Sequence, residues 1–150
     1  MKPLFVLNGP NLNRLGTREP QIYGTTTLAE IEALCRTATE RPVIFRQTNS
    51  ERELIEWIHE AIDMADAIVI NPAAFSFTSM ALLDALKMFP GPIVEVHISN
   101  IHKREAIYHH SLVSGVATGV IAGLGPTGYV AALRALTDML AKTHRTYPRC

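Results

Sequence analysis

Five short runs rich in valine, isoleucine and leucine, separated by stretches of helical spacing, limit this chain to few folds. The runs are Leu4 to Leu7, Val43 to Phe45, Ala67 to Ile70, Ile93 to Val96 and Val116 to Ala122. Short, nearly continuous apolar runs of this kind read as strands buried on both faces. Between and after them, apolar residues recur every three or four positions: Leu28, Ile31, Leu34 and Cys35, then Leu54, Ile58, Ala61, Ile62 and Ala65, and finally Tyr129, Leu133, Leu136 and Leu140. Capping boxes mark two helix starts, Thr27 with Glu30 and Ser50 with Glu53, where hydroxyl and carboxylate satisfy the free amides of a first turn. The alternation predicts a five-stranded parallel sheet with helices on both faces and right-handed crossovers.

The chain has 150 residues, enough for one domain, residues 1–150, that buries roughly two thirds of its unfolded surface. No repeat, linker or low-complexity segment divides it. Hydrophobic residues make up 47%, charged residues 19%, and the formal net charge is zero, a globular composition without the basic excess of a nucleic-acid-binding chain. The apolar stretches Ala65 to Ile70 and Val116 to Leu124 are too short to span a bilayer, and Met1-Lys2-Pro3 leads straight into a strand-like run instead of a signal peptide. The expected location is the cytoplasm. Cys35 and Cys150 make neither a disulfide framework nor a metal-ligand set and are expected to be free thiols.

Function is expected where one loop breaks the pattern. Asn8 to Thr26 carries Gly9, Pro10, Gly16, Pro20 and Gly24 with no sustained period, and long loops in compact domains often act as lids. It leaves the first strand at the carboxyl edge of the sheet, where open α/β folds bind ligands. Asn8 and Asn11 follow strand one, Asn71 ends strand three, and His97, Ser99 and Asn100 end strand four. Each asparagine alone has a plain reading as a turn residue, and Asn71 precedes Pro72; their joint placement suggests a pocket for a small polar substrate. Glu95 and His97, two apart on a strand, share a face, so the carboxylate would favour an imidazolium able to protonate a leaving hydroxyl. A structural ion pair is the competing reading. Tyr23 on the loop becomes a base only if positive charge stabilises its phenolate, which Arg14 and Arg18 can supply; the alternative is two solvated arginines and a packed ring.

Two patterns are discounted. Gly123-Leu124-Gly125-Pro126-Thr127-Gly128 matches a dinucleotide fingerprint, but no later strand carries the ribose-binding acid, and Asp138 falls inside a helix. His97, His102, His109 and His110 lack the spacing and companions of a metal site. A flavin is disfavoured too, because the loop opens Asn8-Gly9-Pro10-Asn11 instead of with a phosphate cradle.

The run Asn8-Gly9-Pro10-Asn11-Leu12-Asn13-Arg14-Leu15-Gly16, followed by Arg18-Glu19-Pro20 and Tyr23-Gly24, resembles the signature of type II 3-dehydroquinate dehydratases. The similarity continues through Gln47-Thr48-Asn49-Ser50-Glu51, Trp57-Ile58-His59, Asn71-Pro72, Glu95-Val96-His97-Ile98-Ser99-Asn100 and Gly123-Leu124-Gly125, nearly the whole chain. It implies a flavodoxin-like, doubly wound sheet of order 2-1-3-4-5. It also implies a hydro-lyase of shikimate or quinate metabolism that removes water in the anti sense from a cyclic β-hydroxy ketone carboxylate, through an enolate. By position, Tyr23 would be the base, held as phenolate by Arg18, and His97 the acid, assisted by Asn11. Asn71, Ser99 and the Ile98 and Ser99 amides would hold the substrate carboxylate. No metal or organic cofactor is implied. The implied assembly is a homo-dodecamer of trimers with Asp84 reaching a neighbour's site, and apolar Met88 and Phe89 fit either subunit packing or the core.

The chain departs from that pattern at four places. Ser76-Phe77-Thr78-Ser79 stands where the family usually reads Thr-His-Thr-Ser, and Tyr108 replaces an arginine. Leu83 and Ala73 replace an arginine and a glycine. The groups implied for elimination remain, whereas two implied to read ring hydroxyls have become aromatic, so altered substrate recognition is expected. A noncatalytic relative that binds a small carboxylate or acts through its oligomeric surface is the alternative.

Overall fold

The computed structural model describes residues 1–142, which form a five-stranded, wholly parallel sheet in the order β2-β1-β3-β4-β5. The strands are β1 (Leu4–Asn8), β2 (Val43–Gln47), β3 (Ala67–Asn71), β4 (Ile93–His97) and β5 (Gly119–Ala122). The helices are α1 (Pro20–Tyr23), α2 (Leu28–Ala38), α3 (Glu51–Met64), α4 (Met80–Lys87) and α5 (Thr127–Ala141). This is the doubly wound, flavodoxin-like order.

Side-chain alternation along β1 divides the core. Leu4 and Val6 face the layer with Ile31 of α2 and Tyr129, Leu133 and Leu136 of α5. Phe5 and Leu7 face the opposite layer with Leu54 and Ile58 of α3 and Leu82 and Leu86 of α4. Burying each such side chain contributes about 1.5–3 kcal/mol. Truncating fully buried Leu133 to alanine would therefore loosen α5 at a cost of about 2–5 kcal/mol. The hydroxyl half of each expected capping box forms: Thr27 Oγ1 accepts from the Glu30 amide at 3.2 Å, and Ser50 Oγ from the Glu53 amide at 3.2 Å, while the Ser50 amide donates instead to Thr48 Oγ1 at 3.0 Å. Ser79 caps α4 in the same way, accepting from the Leu82 amide at 2.9 Å.

Two expectations change at the sheet margin. The fifth strand starts at Gly119, not Val116, because Val116 and Ala117 still bond back to Val113 in a 3₁₀ turn. Nor are the edge strands buried on both faces: Val120 is exposed, and most of β2 is only half-buried. Phe89 belongs to the core, while Met88 is exposed.

The positive φ of Gly123 and Gly125 lets β5 turn tightly into α5, which explains the glycine run without a nucleotide. Cys35 is a free, buried thiol; burial, reinforced by Glu32 against Arg36, pushes it up to about 12. Cys150 lies outside the described residues. Among them, no helix is long and apolar enough to cross a membrane.

Register fixes where the functional groups emerge. Asn8 lies opposite Asn71, and His97 opposite Ala122, so the last residues of β1, β3 and β4 sit at one carboxyl edge. The loop after β1 starts close to β3: a Cβ on Gly9 would lie 2.4 Å from the Pro72 carbonyl oxygen. Buried Leu12 and Leu15 then pin this loop to the core before it reaches α1.

Candidate active site

A cleft of about 360 Å³ opens at this edge, between the loop that carries α1 and the segment that follows β4. Tyr23 ends α1 on one side. Its hydroxyl accepts from Arg104 Nη1 at 3.0 Å and Arg18 Nη2 at 3.4 Å. The Arg18 guanidinium also lies over the Tyr23 ring, 4.4 Å from its centroid, and pairs with Glu19 at 3.6 Å. Two cationic groups thus meet one phenol oxygen.

His97 lines the cleft from the end of β4. Its Nε2 bonds to Glu95 Oε2 behind it, as the shared strand face requires. Glu95 is wholly buried, and its other oxygen accepts from Ser114 Oγ at 2.6 Å. Burial raises the Glu95 carboxyl, but His97 and the Ser111 and Ser114 hydroxyls outweigh it and hold the group below its ordinary range. The Ser111 hydroxyl acts as a nearby dipole, since it makes no direct hydrogen bond of ordinary geometry. Glu95 therefore remains ionised behind the imidazole at neutral pH and does not itself face the cleft.

Asn71 is fixed by a buried relay. Tyr129 Oη accepts from Asn71 Nδ2 at 2.8 Å and donates to Asn8 Oδ1 at 2.8 Å, while Asn8 Nδ2 donates to the Arg46 carbonyl at 3.0 Å. Asn71 Oδ1 accepts from the Ala73 amide at 3.2 Å. Asn71 reaches the cleft; Asn8 is spent inside the fold and does not. Asn100 is likewise a cap, its Oδ1 accepting from the His102 amide at 3.1 Å.

Asn11, Ile98 and Ser99 also line the cleft. Asn11 sits in a left-handed conformation, φ 69°, with its amide donating to Asn49 Oδ1 at 2.9 Å. Phe77 and Tyr108 form an aromatic wall, 5.3 Å apart edge to face, with Phe77 stacked 6.4 Å from the His97 ring. One expected residue does not join them. Arg14 is exposed on the 3₁₀ turn after β1 and does not line the cleft, so the second guanidinium at Tyr23 comes from Arg104 instead. Asp84 lies on α4 in a separate shallow depression with Leu83 and Lys87. Arg104 is the residue sequence reasoning missed: it follows a 3₁₀ turn, Ile101–Lys103, and no periodicity predicts its direction.

Comparison with known proteins shows the family. The model of the family "Dehydroquinase class II" matches residues 2–137. The chain is 57% identical over 146 residues to 3-dehydroquinate dehydratase 2 of Agrobacterium fabrum, covering 95% of this chain and 99% of that protein. It is 54% identical over 136 residues to 3-dehydroquinate dehydratase of Salinispora tropica, covering 89% and 95%. The crystal structure of type II dehydroquinase from Propionibacterium acnes superposes with a TM-score of 0.87 at 51% identity, covering 92% of this chain and 97% of that one. Matched in sequence across most of its length and in fold across its whole sheet, the chain belongs to the class II dehydroquinase family.

Proposed function

We propose that this protein is a hydro-lyase that removes water in the anti sense from 3-dehydroquinate, or from a related cyclic β-hydroxy ketone carboxylate, through an enolate. One observation carries the reading: a phenol oxygen receiving two guanidinium donors and an imidazole backed by an ionised, buried carboxylate line the same cleft. The guanidiniums of Arg18 and Arg104 stabilise negative charge on Tyr23, whose phenolate takes the proton beside the ketone. The developing enolate expels the β-hydroxyl, which leaves as water once His97 protonates it, with Asn11 assisting. Glu95 supports the imidazolium and orients its ring. Asn71, Ser99 and the Ile98 and Ser99 amides hold the substrate carboxylate. Tyr23 and His97 supply both proton transfers, so the proposed chemistry calls on no metal or organic cofactor.

Phe77 and Tyr108 present an aromatic surface to the ring, which favours substrates with fewer hydroxyls on that side. Enone absorbance tests the reaction directly, with 3-dehydroquinate and analogues lacking the ring hydroxyls compared side by side. Tyr23→Phe and His97→Asn are each expected to lose about 10²- to 10⁴-fold in kcat. Full turnover by both variants would overturn the assignment of base and acid, and no turnover of any substrate at high enzyme concentration would overturn the elimination itself. The same reading includes a cytoplasmic enzyme assembled as a dodecamer of trimers, with Asp84 directed toward a neighbouring subunit; light scattering that finds a monomer would remove the assembly.

A further inference from the structure

Arg104 poses a positioning problem. Its guanidinium donates to Tyr23 Oη, yet among the described residues it forms no ion pair, unlike Arg18 with Glu19. A long, rotamer-rich side chain with one hydrogen bond is held weakly. The remaining restraint is an aromatic face: the Arg104 guanidinium carbon lies 4.1 Å from the centroid of the Tyr108 ring, closer than its 5.6 Å to the Tyr23 ring. The Tyr108 ring is itself braced edge to face by Phe77. Its hydroxyl makes no hydrogen bond among the described residues, so the ring face, not the phenol, does the holding.

We propose that Tyr108 is a positioning residue that, through its ring face and with Phe77 as its brace, holds the Arg104 guanidinium on the hydroxyl of Tyr23. The planar guanidinium stacks on the ring and still directs an N–H along its own plane, which an ammonium cannot do. Tyr23, Arg104, Tyr108, Phe77 and His97 then form a continuous row of side chains from one side of the cleft to the other. The aromatic wall thereby serves the base as well as the substrate ring. This inference rests on Tyr23 being the base.

The test compares Tyr108→Leu with Tyr108→Phe, alone and in an Arg104→Ala background, using steady-state kcat and KM. Leucine keeps apolar bulk without a π face, and because Tyr108 is only half-buried in a short turn it leaves the fold in place, which thermal unfolding verifies. Tyr108→Leu is expected to lower kcat about tenfold, beyond any change in KM that its contact with the substrate ring brings. Tyr108→Phe restores kcat to within about threefold of wild type, since phenylalanine retains the π face. Phe77→Leu produces a smaller change in the same direction. In the Arg104→Ala background Tyr108→Leu has no further effect on kcat, as expected of residues acting in series.

A raised KM with unchanged kcat in Tyr108→Leu, or the same loss repeated when Arg104 is absent, would overturn the proposal by making Tyr108 a substrate contact alone. Tyr23→Phe separates the two levels of the argument. If Tyr23→Phe abolishes turnover while Tyr108→Leu matches wild type, only this inference fails; if Tyr23→Phe turns over normally, the base assignment and the inference fail together.

Discussion

Arg104 and Tyr23 stand 81 residues apart in sequence, yet Arg104 Nη1 donates to the Tyr23 hydroxyl at 3.0 Å, a shorter contact than the 3.4 Å from nearby Arg18. A hydrogen bond to a group that carries charge is worth about 1.5–3 kcal/mol, so Arg104→Ala is expected to lower kcat by roughly 10- to 100-fold. Arg104→Lys should recover only part of that loss, because a point charge cannot stack on Tyr108 and aim a donor at once. Initial rates of enone formation measure both variants. An Arg104→Ala enzyme as fast as wild type would show that Arg18 alone supports the base.

Glu95 gives the site a defined response to acid. Although burial opposes it, bonding to His97 and Ser114, with the nearby Ser111 hydroxyl, places its folded-state value below the unfolded one, near 4.3 for a free glutamate. For a depressed carboxyl, the stability contribution is complete above the unfolded value and is lost as pH falls through the folded value. Urea midpoints should therefore fall as pH drops below about 4, more steeply in wild type than in Glu95→Gln. At pH 7 Glu95→Gln should also lower kcat, since the neutral amide gives weaker support to His97 in its proposed role as acid. Parallel acid limbs in wild type and Glu95→Gln would assign the acid sensitivity to other groups.

What the sequence disclosed depended on how local the signal was. The capped starts of α2 and α3 and the pairing of Glu95 with His97 follow from spacings of three and two residues, and all are present. The strand order followed from resemblance, because alternation alone does not rank neighbours. The start of β5 is later than the apolar run suggests because backbone bonds from Val116 and Ala117 to Val113 keep both in a turn despite their apolar side chains. Asn8 looked like a substrate donor until Tyr129, 121 residues away, claimed its oxygen. Arg104 and Arg14 exchanged importance for a similar reason: both follow or occupy 3₁₀ turns, where no period fixes side-chain direction.

Ala73 is a non-glycine residue at φ 51°, placed there by the sharp turn after Pro72 that brings its amide to Asn71 Oδ1. The left-handed region costs an alanine about 1–2 kcal/mol through its Cβ. Glycine escapes that cost but gives the unfolded chain about 0.4–1 kcal/mol more entropy. The difference favours the substitution, so Ala73→Gly should raise the unfolding midpoint slightly while leaving kcat near wild type. Calorimetry decides: a lower midpoint would mean that the methyl group's packing against the core outweighs the backbone strain.

Tyr129 carries the clearest stability prediction, because its single hydroxyl serves two buried partners. It is fully buried, and burial drives its ionisation well above the ordinary tyrosine range, so it is a neutral donor and acceptor at neutral pH. Tyr129→Phe preserves the ring in the core but leaves Asn8 Oδ1 and Asn71 Nδ2 each short of a partner. An unsatisfied buried polar group costs about 1–3 kcal/mol, and the paired loss should lower the unfolding free energy by at least that amount. Because Asn71 also lines the cleft, its freed side chain should bind the substrate carboxylate less well, so KM rises more than kcat falls. Denaturant titration with steady-state kinetics on the same variant reads both effects. A destabilised enzyme with unchanged KM would confine the Tyr129–Asn71–Asn8 relay to a structural role.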